Sequence, residues 1–178
     1  MTLQCFPTEP KYHLFFAKIK LDGTVYVENR FEHSDIHPGL FIDVFPLYKN
    51  NTKEENDAII PLSNKFSRCV KPYQGVIGKV KSLVYKTIYP APEVSYQLVQ
   101  KQLSKHNDEP AVSWSSMYHQ DSFLDEDVFP PRKLDFDGIP LNVPCNVEKY
   151  LENKYGGDYM TPPPIDQRIP HQVVKVKL

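Results

Sequence analysis

Proline sets the tightest bound on what this chain can fold into. The sequence holds 17 prolines and 7 glycines in 178 residues, a proline share of about twice the usual one. Because each proline fixes φ and removes a backbone donor, a bundle of long helices is disfavoured. Apolar residues still make up 40% of the chain and aromatic residues 12%, too much for compositional disorder. Short strands and helices joined by rigid, proline-marked connections are expected, in one domain spanning residues 1–178.

Charge excludes one class of partner. With 21 basic and 22 acidic side chains the net charge is −1, so binding nucleic acid through bulk positive charge is not expected. The balance hides segregation: residues 49–105 carry 10 basic and 4 acidic groups, whereas residues 106–160 carry 4 and 11. Cys5, Cys69 and Cys145 stand far apart without a C-x-x-C spacing, which argues against a disulfide scaffold or zinc site and favours a reducing compartment. No apolar run approaches the length of a membrane span, and the N-terminus has no signal-peptide core. A cytoplasmic chain, with peripheral membrane contact left open, is the expectation.

Along the chain, Leu14 to Val27 reads as a hairpin about Asp22-Gly23, a dipeptide tolerant of positive φ. Leu40 to Phe45 reads as a buried strand closed by Pro46. Residues 52–88 read as short helices broken at Pro61 and Pro72, with Val76, Val80, Leu83 and Val84 at helical spacing and basic outer faces. Contact of those faces with an anionic membrane is the alternative to plain solvation, and solvation is preferred. A helix from Pro92 to about His106 would bury Val94, Leu98 and Val99. Asp137-Gly138 predicts a second hairpin, and Asn146 caps a helix ended by Gly156-Gly157.

Asp43 is the most informative single residue, since alternation puts it on the strand face of Phe41 and Phe45. A buried carboxylate needs a cation, a metal or backbone donors. Two readings stay open, a structural acceptor at a strand end and a metal ligand. Lys18 and Lys20 share a strand face and would suit a phosphate, although exposed edge-strand lysines are commoner. His33 and His37 lack the helical placement of a metal pair, Asp135 to Asp137 reads as a turn, and Asp125 to Asp127 as a solvated acidic face. Phosphate-binding glycine loops and nucleophile signatures are absent from the sequence.

The order of motifs says more. FAKIKLDGTVYVE, HPGLFIDVFPL, DVFPPRKLDFDGIPLNVP and VEKYLENKYGGDYMTPPP, followed by Arg168 and His171, together resemble the LicD family of phosphocholine transferases, related to the fukutin group of ribitol-phosphate transferases. The likeness spans the whole chain in outline, with residues 49–105 contributing little. FIDVFPL and the YL-x-x-x-YG-x-DYM-x-PP pattern are its most specific pieces. It implies an α+β, nucleotidyltransferase-like fold, a small mixed sheet with flanking helices. It also implies transfer of phosphocholine, or a related phospho-group, from a CDP-linked donor such as CDP-choline to a cell-surface glycan hydroxyl, with Mg2+ or Mn2+.

By this resemblance Asp43 becomes a metal ligand, Lys18 and Arg168 bind donor phosphate, and His171 binds phosphate or shuttles a proton. The family's upstream glycine-containing helix and D-x-D strand have no counterpart before Met1, and Tyr48 stands where an acidic residue is frequent. Two of three metal carboxylates are thus missing. The expectation is a truncated or split enzyme, complemented by a separately encoded N-terminal half, or else an inactive remnant serving as an accessory glycan- or nucleotide-binding module.

Overall fold

Among the described residues, ten strands and five α-helices form in the computed structural model, a mixed α+β arrangement. The structure describes the whole chain except residues 90, 118–120 and 169–171, and the backbone alone of residue 30. By contacts the chain divides into two compact units. One comprises Met1–Pro46, Ile59–Gln102 and Ile169–Leu178, the other Leu47–Ala58 and Leu103–Arg168.

In the first unit, β1 (Thr2–Gln4), β2 (Ala17–Leu21) and β4 (Leu40–Val44) make an antiparallel sheet with β2 in the middle, while β3 (Val25–Glu28) pairs with β10 (Val173–Lys177). The hairpin expected from Leu14 to Val27 is therefore absent. Gly23 does turn the chain with φ 80°, but β2 already has a partner along each edge, so β3 leaves for a partner far along the sequence. Gly39 lets the start of β4 approach β2, because a Cβ there would lie 2.5 Å from the Leu21 carbonyl oxygen.

Alternation gives this sheet two unlike faces. Leu3, Ile19, Leu21, Ile42 and Val44 share one face and are all exposed, whereas Gln4, Lys18 and Lys20 on the other are buried. The strand containing Asp43 was expected to be buried. It is instead an edge strand, and the Asp43 side chain is 33% exposed. The apolar core of the unit is largely aromatic, with Tyr12, Phe15, Phe16, Phe31, Phe66 and Val99 buried. Phe6 and Phe15 hold their rings 4.8 and 4.7 Å from that of Phe66.

The helices correct three further expectations. α1 (Lys53–Val70) runs unbroken through Pro61, although that residue offers no N–H to the preceding turn. Its first turn is closed by a capping box: Glu55 N–H donates to Thr52 Oγ1 and Thr52 N–H to Glu55 Oε2. Pro72 does separate α1 from α2 (Gly75–Ile88), but the apolar side chains of α2 face outward and only Gly78 is buried. In α3 (Pro92–Leu103) Val99 is buried with Ser95 and Leu103, while Val94 and Leu98 are exposed.

In the second unit β5 (Tyr48–Lys49), β6 (Ser113–Ser115) and β7 (Ser122–Leu124) form an antiparallel sheet followed by α4 (Asp125–Val128). The hairpin of β8 (Arg132–Phe136) and β9 (Ile139–Val143) turns at Asp137 and Gly138, both at positive φ, as their identities require. α5 (Val147–Tyr155) begins with Lys149 N–H donating to Asn146 Oδ1 and ends at Gly156 with φ 92°. Tyr150 stacks on buried Phe123 at 4.4 Å. Cys5, Cys69 and Cys145 are free thiols.

Candidate functional site

The candidate site grows from the K-x-K alternation of β2. In the register, Lys18 stands opposite Asp43 and Lys20 opposite Phe41, so two ammonium groups, a carboxylate and an aromatic ring share one side of the sheet. Lys18 is completely buried, and its Nζ lies 2.9 Å from Asp43 Oδ1 and 3.4 Å from Glu28 Oε2 at the end of β3. The same nitrogen sits 3.2 Å from the centroid of the Phe41 ring, close enough for a desolvated cation–π contact. Sequence reasoning favoured an exposed edge-strand lysine. β2 is instead the central strand, and its carboxylate partners make burial of the charge tolerable.

Lys20 is held differently. It is 3% exposed, donates to the Gly39 carbonyl at 3.2 Å and lies 4.4 Å from the Phe41 centroid. Burial, reinforced by the neighbouring Lys18 ammonium, pulls its pKa from 10.5 down to about 8. It lines a cleft of about 60 Å³ together with Tyr26, Glu28, Phe31, His37 and Phe41. That volume suits a few waters or one small group beside Lys20 and the Glu28 and Glu32 carboxylates, well below the roughly 300 Å³ at which whole-ligand pockets begin.

The other residues singled out from the sequence lie elsewhere. Arg168 belongs to the second unit, where its Nε donates to the Pro163 carbonyl at 2.7 Å. His171 lies outside the described residues. His33 and His37 face separate carboxylates, Glu32 at 3.6 Å and Asp22 at 3.2 Å. The acidic run of α4 is not the solvated face expected of it. Asp125 accepts from Trp114 Nε1 at 2.6 Å, and buried Asp127 lies 2.8 Å from Lys149 Nζ. These carboxylates tie α4 to β6 and α5.

The Asp43 surroundings can be tested against the divalent ion implied by the resemblance. The cation that this carboxylate called for is present as the Lys18 ammonium, which also engages Glu28. Two carboxylates sharing one ammonium fall short of the six or so oxygen ligands that magnesium takes. Among the described residues no group of three or more His, Cys, Asp or Glu side chains is arranged for a metal. The described residues around Asp43 therefore do not fit a divalent cation.

Glu28 is the member of this cluster that sequence reasoning missed as a site residue. Its one signal was a lone carboxylate closing the apolar run of β3. In comparisons with protein-family models, curated proteins and solved structures, nothing matches the chain.

Proposed function

We propose that the chain is part of a LicD-like phospho-group transferase of nucleotidyltransferase-like fold. It would move phosphocholine, or a related group, from a CDP-linked donor to a glycan hydroxyl. The supporting observation is the pair of buried lysines on β2, of which Lys20 opens on the small cleft. An anionic phosphate oxygen entering there would relieve the repulsion between the two ammonium groups. It would also replace lost hydration with charge-assisted hydrogen bonds. In this reading Lys20 receives a donor phosphate, while Lys18, held by Asp43 and Glu28, sets the local field. Mg2+ or Mn2+ comes with the resemblance. Holding either ion at Asp43 would require oxygen ligands beyond those described.

A second reading has its own support. Because the Asp43 carboxylate is neutralised by Lys18 and too few ligands surround it, an accessory module that binds a nucleotide or glycan without turnover suits the cluster as well. One experiment separates the two: CDP-choline binding by calorimetry beside CMP release, in the presence of Mg2+, Mn2+ or a chelator, with a glycan acceptor. CMP release under any of these conditions that Lys20→Met abolishes without unfolding supports the transferase. Binding weakened by Lys20→Met, with no release, supports the module. Neither binding nor release would remove the LicD-like reading.

A further inference from the structure

α2 shows an apolar surface of a particular kind. Its apolar residues recur as Val76, Ile77, Val80, Leu83, Val84 and Ile88, a stripe about 140° wide at about 100° per residue. All six are between 42% and 80% exposed. The opposite side of the helix meets the protein: a Cβ on Gly78 would lie 3.0 Å from the Tyr73 backbone, and the Tyr85 ring stands 5.8 Å from that of Tyr73. The helix is thus docked by its small and aromatic side and turns its aliphatic side out.

Charge decides what covers that side. On the helical wheel Lys81 falls at one margin of the stripe, and Lys79 and Lys86 at the other. Between residues 59 and 88 there are 6 Lys or Arg side chains and no Asp or Glu. A second copy meeting this face would bring lysines against lysines, whereas an anionic surface would neutralise them. The composition also departs from a protein interface, whose core is enriched in aromatic residues, Met and Arg and depleted in Lys. Aliphatic side chains flanked by long, flexible ammonium stems suit a lipid boundary, where the stems reach the headgroups while the stripe enters the acyl region.

We propose that α2 is a membrane-surface anchor that lies in the plane of an anionic bilayer, its aliphatic stripe among the acyl chains and its lysines at the headgroups. The helix does not span: none of the described helices is long and apolar enough to cross a membrane. The proposal stands independently of any transferase activity.

Flotation of the whole chain with vesicles tests it. Vesicles of phosphatidylcholine with about 30% phosphatidylserine should carry the protein at least about tenfold better than phosphatidylcholine alone, and about 0.5 M salt should release most of it. Val80→Asp with Leu83→Asp should abolish flotation while leaving the circular dichroism spectrum unchanged, both side chains being exposed. Changing Lys79, Lys81 and Lys86 to Gln should weaken binding and remove its salt dependence. A Leu83→Trp variant supplies a separate readout, a blue shift of its emission on addition of the anionic vesicles that the wild type lacks. Absence of flotation at low salt, or flotation undiminished by the double Asp variant, would overturn the proposal. So would a dimer in light scattering that the double Asp variant dissolves without any vesicle binding, since the face would then belong to a second copy.

Discussion

Lys18 and Lys20 stand two residues apart on the same face of β2, yet their surroundings set them opposite tasks. Lys18 neutralises Asp43 and Glu28, so Lys18→Met should leave buried Glu28 without that ammonium and cost about 3–5 kcal/mol in urea denaturation. Lys20 has a carbonyl and an aromatic ring for partners, and burial and Lys18 depress its pKa to about 8. The sign of its pH effect follows from that direction. Between pH 8 and 10.5 the unfolded chain binds more protons at this residue than the folded chain does, so its contribution makes stability rise with pH across the window. Lys20→Met should remove that rise. The difference in unfolding free energy between wild type and variant should change by up to about 3 kcal/mol over the window, and denaturant titrations at successive pH values would measure it. Equal slopes for the two proteins would show that folding does not depress the pKa of Lys20. The alternation that pairs these lysines was legible in AKIKL. Which face turns inward was not, because apolar residues on the opposite face would ordinarily be the buried ones, and the carboxylates that reverse the choice come from β3 and β4.

Among the elements, α1 begins on a local signal and is tied to distant residues. Thr52 and Glu55 close its capping box, and the Glu55 carboxylate also meets Lys105 Nζ at 2.5 Å and His106 Nε2 at 3.3 Å. Thr52→Ala should lower stability by about 1 kcal/mol in a denaturant melt. The Lys105 ammonium first, then the Thr52 backbone N–H and His106, hold Glu55 down to a pKa of about 2 from the ordinary 4.5. Its stabilising contribution is therefore full above pH 4.5 and is lost as pH falls toward 2. Glu55→Gln should flatten that acid limb in thermal melts, and an unchanged limb would place the acid sensitivity in other carboxylates. Elements with such local signals were the readable ones. Asp137-Gly138 specified the β8–β9 turn because both residues tolerate positive φ, and Asn146 specified the start of α5 through its own side chain. Asp22-Gly23 misled for a physical reason: the dipeptide supplies a turn but no pairing, and β1 and β10 outcompeted the hairpin from positions that no local window includes. The aliphatic spacing of α2 was likewise visible, while its outward direction depends on Gly78 resting against Tyr73.

At the scale of the whole molecule the two units alternate along the chain, so neither is one continuous stretch. Residues that belong together by contact are joined by the last strand as much as by the first. β10 supplies the partner of β3, with Val176 opposite Tyr26 and Lys177 opposite Val25, and Asn29 donates to the Gln172 side chain at 3.0 Å. β3 in turn ends at Glu28, one of the two carboxylates on Lys18. β10 is therefore coupled through one ladder to the buried lysine cluster. Removing residues 173–178 should leave the β3 backbone donors that face β10 unpaired and their protection near that of a fraying edge, while Tyr26 N–H keeps its bond to the Pro38 carbonyl. In native-state hydrogen exchange, amides of β3 other than Tyr26 should then exchange faster by orders of magnitude. Those of β8, β9 and α5, which take their hydrogen bonds within the other unit, should keep their rates. Equal acceleration in both units would mean that they open as one cooperative body. Unchanged rates in β3 would mean that β10 contributes no lasting order to the strand that carries Glu28.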